Sequence, residues 1–144
     1  MEKIEKLYLR YICEDILNKN FEEGLYEKTM KIAYSITELL KSEYSYDFKE
    51  YEAKSLYELG KYKEALNCFE NSGRPSDIYK YLCYIRLDNF YEAQKVFSNK
   101  LIDFDERWRD YDYIKEKLRG ILNDGSEDQK EYVRKFLNKT DTVI

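Results

Sequence analysis

The sequence predicts an all-α protein, and three observations carry this prediction. Glycine (5 residues) and proline (1 residue) are scarce, whereas lysine, glutamate, leucine and tyrosine dominate, a composition typical of helices. Apolar residues recur at steps of three and four along most of the chain. The segment that begins at Gly60 is also echoed from Asp88 onward, with the turn residue, an aromatic residue, a glutamate, an alanine and a phenylalanine in register. Such an internal repeat indicates stacked copies of one small helical unit.

The repeated segment has the pattern of a helix, a turn and a second helix. An apolar stripe precedes Gly60, and Gly60 ends that helix because glycine adopts a left-handed conformation at little cost. The pair Asp88 and Asn89 can play the same part less easily. Ala65 and Ala93 each follow the turn residue by five positions and are 28 residues apart (93 − 65). We expect these alanines to let the paired helices approach closely near the turn.

The elements before the clear repeats form a degenerate first repeat over residues 2–41. A helix is predicted over residues 2–18, with a stop at Asn18 to Asn20, and a second helix runs from Phe21 to Lys41. Both clear repeats contain the sequence aromatic-x-Glu-Ala, which ends at Ala65 and at Ala93. The segment from Phe21 to Gly24 resembles this sequence, with Gly24 in the place of the alanine. The clear repeats then cover about residues 47–72 and 75–100. Asp47 is a candidate N-cap for the first of these, and Pro75 lies in the first turn of a helix in the second.

A C-terminal helix pair is predicted over about residues 106–138. Its first helix runs from about Glu106 to Leu122 and ends at Asn123 to Gly125. Ser126 and Gln129 then have the spacing of a capping box, which marks the start of a last helix. The sequence therefore predicts about eight helices in four antiparallel pairs, arranged as a single domain over residues 1–144.

The repeat pattern resembles that of tetratricopeptide repeat (TPR) proteins. This resemblance implies a right-handed superhelix of helix pairs and a role as a protein–protein interaction scaffold. Residues 53–65, followed by residues 79–83, are similar to the N-terminal repeats of the TPR scaffold subunits of the anaphase-promoting complex. That closer similarity implies a homodimer that takes part in cell-cycle ubiquitination, with Leu7, Tyr8 and Tyr11 as dimerisation candidates. A bacterial-type regulatory repeat protein that receives a short peptide or a nucleic-acid signal stays open as the alternative.

The first helices of stacked pairs line the concave surface on which such arrays usually hold a peptide. The side chains expected to face this groove in the clear repeats are Glu50, Lys54, Tyr57, Glu58, Ile78, Leu82, Ile85 and Arg86. Among them, Lys54, Tyr57 and Arg86 could donate hydrogen bonds to a peptide, and Leu82 and Ile85 could form the apolar floor beneath it. The alternative is that Tyr57, Leu82 and Ile85 pack against the neighbouring repeat.

Composition limits the chemistry that the chain can perform. There is no histidine, which is the usual base for a serine or cysteine nucleophile and the commonest ligand of catalytic zinc. The sequence also has no glycine-rich phosphate loop and no dinucleotide fingerprint. We therefore predict a protein that is not an enzyme and that holds no metal or cofactor. Cys13, Cys68 and Cys83 match no zinc spacing and are expected to be small buried hydrophobes.

Charge and hydropathy indicate the expected partners and compartment. The net charge of −4 is mild, and Lys115, Lys117 and Arg119 alternate with acidic residues, which argues against nucleic-acid binding. No apolar stretch approaches the ~18 residues of a membrane helix, and the N-terminus lacks a secretory apolar region. The expected partners are therefore proteins or peptides, met inside the cell, in the nucleus or cytoplasm.

Overall fold

The computed structural model of the protein describes residues 3–39, 45–72, 77–98 and 108–141. These residues form eight α-helices and no strand, which confirms the all-α prediction. The helices are α1 (Lys3–Glu22), α2 (Tyr26–Leu39), α3 (Ser45–Glu58), α4 (Tyr62–Glu70), α5 (Asp77–Arg86), α6 (Phe90–Val96), α7 (Trp108–Asp124) and α8 (Glu127–Asp141).

The helices divide between two compact units, Met1–Ser76 and Asp77–Ile144. In the first unit α3 is central and packs against α1, α2 and α4. In the second unit α5 is central and packs against α6, α7 and α8. The boundary between the units falls between the two clear repeats. A single array and a right-handed superhelix across residues 1–144 stay predictions.

Three of the helix pairs are joined by turns of the same geometry. Each turn contains one residue in the left-handed region, namely Gly24 (φ 78°), Gly60 (φ 81°) or Asp88 (φ 61°). The N–H of that residue donates to the carbonyl three positions earlier, and the next N–H donates to the carbonyl five positions before it. This pattern is a Schellman ending of the first helix. The six bonds are Gly24 to Phe21, Leu25 to Asn20, Gly60 to Tyr57, Lys61 to Leu56, Asp88 to Ile85 and Asn89 to Tyr84, all between 2.8 and 3.0 Å.

The shared turn sets the register of the three helix pairs and corrects one prediction. Gly24 is the counterpart of Gly60 and Asp88, so it is not in the place of the alanine. That place belongs to Thr29, which is fully buried like Ala65 and Ala93. Thr29 is tolerated there because its hydroxyl donates to the Leu25 carbonyl at 2.8 Å. Aromatic residues precede and follow this turn, at Phe21 and at Tyr26. From the sequence alone, either of them can be aligned with the aromatic residue of the clear repeats.

Some predicted helix ends also shift. Helix α1 continues through the expected stop to Glu22, since Asn20 is buried and its amide donates to the Ile16 carbonyl at 2.8 Å. Helix α3 begins at Ser45, so Asp47 lies inside the helix and is not its N-cap. The predicted helix start at Pro75 lies outside the described residues.

The connection between α7 and α8 is built differently and confirms the predicted capping box. The Gln129 N–H donates to the Ser126 hydroxyl, and the Ser126 N–H donates to the Gln129 side-chain oxygen, both at 3.2 Å. Gly125 precedes this box, and a Cβ there would stand 2.6 Å from the Ile121 carbonyl oxygen. This turn therefore needs glycine for lack of space.

Candidate functional site

Helix α1 has two apolar faces, of which one is covered. Its inner face contributes Cys13 and Leu17 to the core of the first unit, where they pack with Ala33 and Phe48. Its opposite side, which we call the outer face of α1, presents large apolar side chains to solvent. These are Leu7 (49% exposed), Tyr8 (68%), Tyr11 (62%), Ile12 (44%) and Ile16 (43%). The three dimerisation candidates, Leu7, Tyr8 and Tyr11, thus lie on one exposed apolar surface.

The register of the turns shows what this outer face corresponds to in the next helix pair. Gly24 and Gly60 are 36 residues apart (60 − 24), so Ile12 is equivalent to Phe48 on α3. Phe48 is fully buried in the cluster that α1 and α2 form. Lys19, which is exposed, is likewise equivalent to the fully buried Ser55. Ile12 and Lys19, which are exposed on α1, are therefore the counterparts of positions that are buried on α3.

Ile12 and Ile16 were not singled out by the sequence interpretation. They belong to the same apolar pattern as Tyr8, but the pattern covers so much of α1 that it does not separate the inner from the outer side. The comparison with Phe48 identifies Ile12, and it requires the register that the turns set. Ile16 is identified by its exposure in the structure.

The groove candidates of the first unit are engaged with their own neighbours. Tyr57 is buried (4% exposed), and its ring lies 5.2 Å from that of Tyr62. The Lys54 ammonium is 3.4 Å from the Glu50 carboxylate, and both side chains are largely covered. Glu58 is half-buried. The contacts of Tyr57 support packing, which was the alternative interpretation for this residue.

The groove candidates of the second unit are more deeply buried. Leu82 and Ile85 have no exposed surface, so they cannot form the expected apolar floor for a peptide. Their position explains this correction, because α5 is central and uses its apolar side chains against α6, α7 and α8. The Arg86 guanidinium lies 2.6 Å from the Asp124 carboxylate and is only 10% exposed. Ile78 is half-buried.

Aromatic side chains and a polar chain hold α8 against α5 and α6. The Tyr81 hydroxyl donates to that of Tyr132 at 3.3 Å, and Tyr132 donates to the Gln94 side-chain oxygen at 3.1 Å. Burial, with a smaller contribution from Tyr132, raises the pKa of Tyr81 far above its ordinary value. Phe97 and Phe136 pack edge to face with ring centroids 4.9 Å apart. Of these residues, Tyr81 and Phe136 are buried in the core.

Gln129 connects the α7–α8 turn to the α5–α6 turn. Besides closing the capping box, its amide nitrogen donates to the Arg86 carbonyl at 2.9 Å and to the Asp88 carboxylate at 3.0 Å. The side chain is only 7% exposed. Gln129 therefore forms hydrogen bonds with groups of two turns at once.

The three cysteines are free and buried, as predicted. Burial raises the pKa of Cys68 to about 11 and that of Cys83 to about 12. A thiol is nucleophilic as its thiolate, so these side chains are unreactive near neutral pH. Within the described ranges, no group of three or more cysteine, aspartate or glutamate residues is placed to hold a metal ion.

Comparison of the chain with models of protein families, with curated proteins and with solved structures found no match. The class that the structure itself defines is an all-α protein built from helical hairpins, three of which share one turn geometry. None of the helices described here combines the length and the apolar character that a crossing of a bilayer requires.

Proposed function

We propose that this protein is a non-enzymatic protein-interaction scaffold of the TPR type, which self-associates through the outer face of α1. One observation carries the proposal. The position that α3 buries in the core as Phe48 is left exposed on α1 as Ile12, and the face around Ile12 carries a second isoleucine, a leucine and two tyrosines. Contiguous apolar surface of this kind, bordered by charged residues, is typical of protein interaction sites.

The chemistry of the chain also favours a binding role. It has no histidine to act as a general base, and its thiols are buried and protonated at neutral pH. The groove candidate Lys54 pairs with a neighbouring carboxylate, as does Arg86. Among the surfaces that the described residues form, the outer face of α1 is thus the one with the strongest case for a partner.

The more specific assignment, a homodimerising subunit of the anaphase-promoting complex in cell-cycle ubiquitination, rests on the sequence resemblance alone. The proposal of self-association does not depend on it. A monomeric protein that bound short peptides would favour the regulatory alternative instead.

Light scattering after size-exclusion chromatography, over a range of concentrations, tests this function. We expect the wild-type protein to form a dimer as its concentration rises. The variant Tyr8→Ser/Tyr11→Ser/Ile12→Ser should stay monomeric, because serine removes most of the apolar surface at three exposed positions. Circular dichroism should show unchanged helix content, since none of the three side chains is buried.

A matched control removes exposed tyrosines elsewhere. Tyr34 on α2 and Tyr91 on α6 are 55% and 73% exposed. The variant Tyr34→Ser/Tyr91→Ser should therefore dimerise like the wild type. A wild-type protein that is monomeric at every concentration would contradict the proposed function.

A further inference from the structure

Resting on the proposed function, we infer that two copies of the chain pack their α1 helices antiparallel, with the two-fold axis at Ile12. The occupant of the outer face of α1 is thus the same face of a second copy. This arrangement is isologous and closed, as in most homodimers.

The inference starts from the positions of five exposed residues on α1. At about 100° per residue, Glu5, Tyr8, Ile12, Ile16 and Lys19 lie within an arc of about 80°. The middle three are apolar, and the outer two carry opposite charges and are exposed. They form one stripe along the helix, with an acid near the beginning of α1 and a base near its end.

A two-fold axis at Ile12 brings each residue of the stripe opposite a complementary one. The axis pairs residue i with residue 24 − i of the second copy, because the two positions are then equally far from position 12. Tyr8 therefore faces Ile16 of the second copy, and Ile12 faces its own counterpart. Glu5 faces Lys19 of the second copy, and symmetry repeats this ion pair at the other end of the interface.

Charge decides between the two possible directions. Parallel packing would place Glu5 beside Glu5 and Lys19 beside Lys19 of the second copy, which is repulsive at both ends. Antiparallel packing replaces both repulsions with attractions. Charged residues that flank an apolar seam commonly set partner orientation between paired helices in this way.

The size of the surface indicates how strong the association should be. The stripe from Glu5 to Lys19 is about 21 Å long at 1.5 Å per residue. The five side chains of this stripe offer roughly 100 Å² each, so two copies would bury roughly 1,000 Å², which is within the range of weak or transient complexes. We therefore expect a reversible dimer that dissociates on dilution.

Disulfide cross-linking tests the direction and the axis. Under mild oxidation with copper phenanthroline, Ile12→Cys should form a covalent dimer by itself. Tyr8→Cys should cross-link efficiently only when mixed with Ile16→Cys. The wild type, whose cysteines are buried, sets the background, and Tyr34→Cys should not exceed it. Tyr8→Cys that cross-links with itself as readily as Ile12→Cys would overturn the antiparallel arrangement.

Charge reversal tests the ion pairs separately. Glu5→Lys or Lys19→Glu alone places like charges opposite each other at both ends, and should weaken dimerisation about three- to tenfold. The double variant restores opposite charges and should return the dissociation constant to within about twofold of wild type. Failure of this restoration would overturn the inference.

These results are separable from those that bear on the proposed function. A dimer that forms in the wild type but is insensitive to the charge variants leaves the scaffold proposal standing and removes the antiparallel geometry. A wild-type monomer at every concentration removes both.

Discussion

Replacing Gly60 with alanine should destabilise the first unit although there is ample space for the added methyl group. An ideal Cβ at Gly60 meets nothing within 4 Å, so no steric clash enters the prediction. The cost comes from φ at 81°, where a residue with a Cβ loses about 1–2 kcal/mol. Alanine also restricts the unfolded chain, which offsets about 0.4–1 kcal/mol of this cost. The expected net loss of unfolding free energy is about 1 kcal/mol.

Two other glycines provide matched controls for this prediction. Gly24 has φ at 78° and equally open surroundings, so Gly24→Ala should cost the same. Gly120 lies inside α7, is not in the left-handed region, and its Cβ would also meet nothing within 4 Å. Gly120→Ala should therefore stabilise the protein by about 0.5–1 kcal/mol, the usual difference between these residues inside a helix.

The assay is urea unfolding followed by circular dichroism at a helix-sensitive wavelength. Since the chain has two compact units, the curves should be fitted with one transition only if a second probe gives the same midpoint. Opposite shifts of the midpoint for Gly60→Ala and Gly120→Ala would agree with the reasoning. Equal stability of Gly60→Ala and wild type would refute the role of the left-handed turn.

Three further predictions concern packing, the linked turns and the thiols. Ala65→Leu should lower the unfolding free energy by about 1–3 kcal/mol because it overpacks a fully buried site. Lys63→Leu, at an exposed position, should change the melting temperature little. Equal melting temperatures of Ala65→Leu and wild type would show that the helices do not meet closely there. Gln129→Ala should cost about 1–3 kcal/mol in urea unfolding, since it removes several partly buried hydrogen bonds at once. Glu131→Ala is an exposed control that should stay near wild type. Burial raises the pKa of Cys83 from 9.0 to about 12, so above about pH 9 the unfolded state loses a proton that the folded state keeps, and the unfolding free energy falls. In Cys83→Ala the unfolding free energy should fall less between neutral pH and pH 10. A fall identical to that of wild type would contradict the assigned pKa.

The helices and their turns could be predicted from the sequence because their signals are local. Gly60 and Ser126 mark helix boundaries through their own backbone and side-chain hydrogen bonds, which need only a few neighbouring residues. The three buried cysteines follow from apolar neighbours in the same helices. Asn20 shows where residue type alone fails: it usually ends a helix, but here it is buried and its amide donates to the Ile16 carbonyl, and α1 continues past it.

The candidate site depended on register, and register is not a local property. From the sequence alone, Gly24 could be aligned either with Ala65 and Ala93 or with Gly60. The backbone hydrogen bonds of the turn show that Gly24 corresponds to Gly60. Only after that does Ile12 correspond to Phe48, which identifies the outer face of α1.

The sequence by itself determined that the chain forms helical hairpins, since the period of the apolar residues and the turn residues encode this directly. It also determined that the chain lacks histidine chemistry. The tertiary structure decided which apolar side chains are covered. Leu82 and Ile12 are both apolar residues within helices, yet Leu82 is buried because α5 packs against three helices, and Ile12 is exposed because the described neighbours of α1 cover only its inner face. Burial depends on which helices meet, and that is a property of the whole fold.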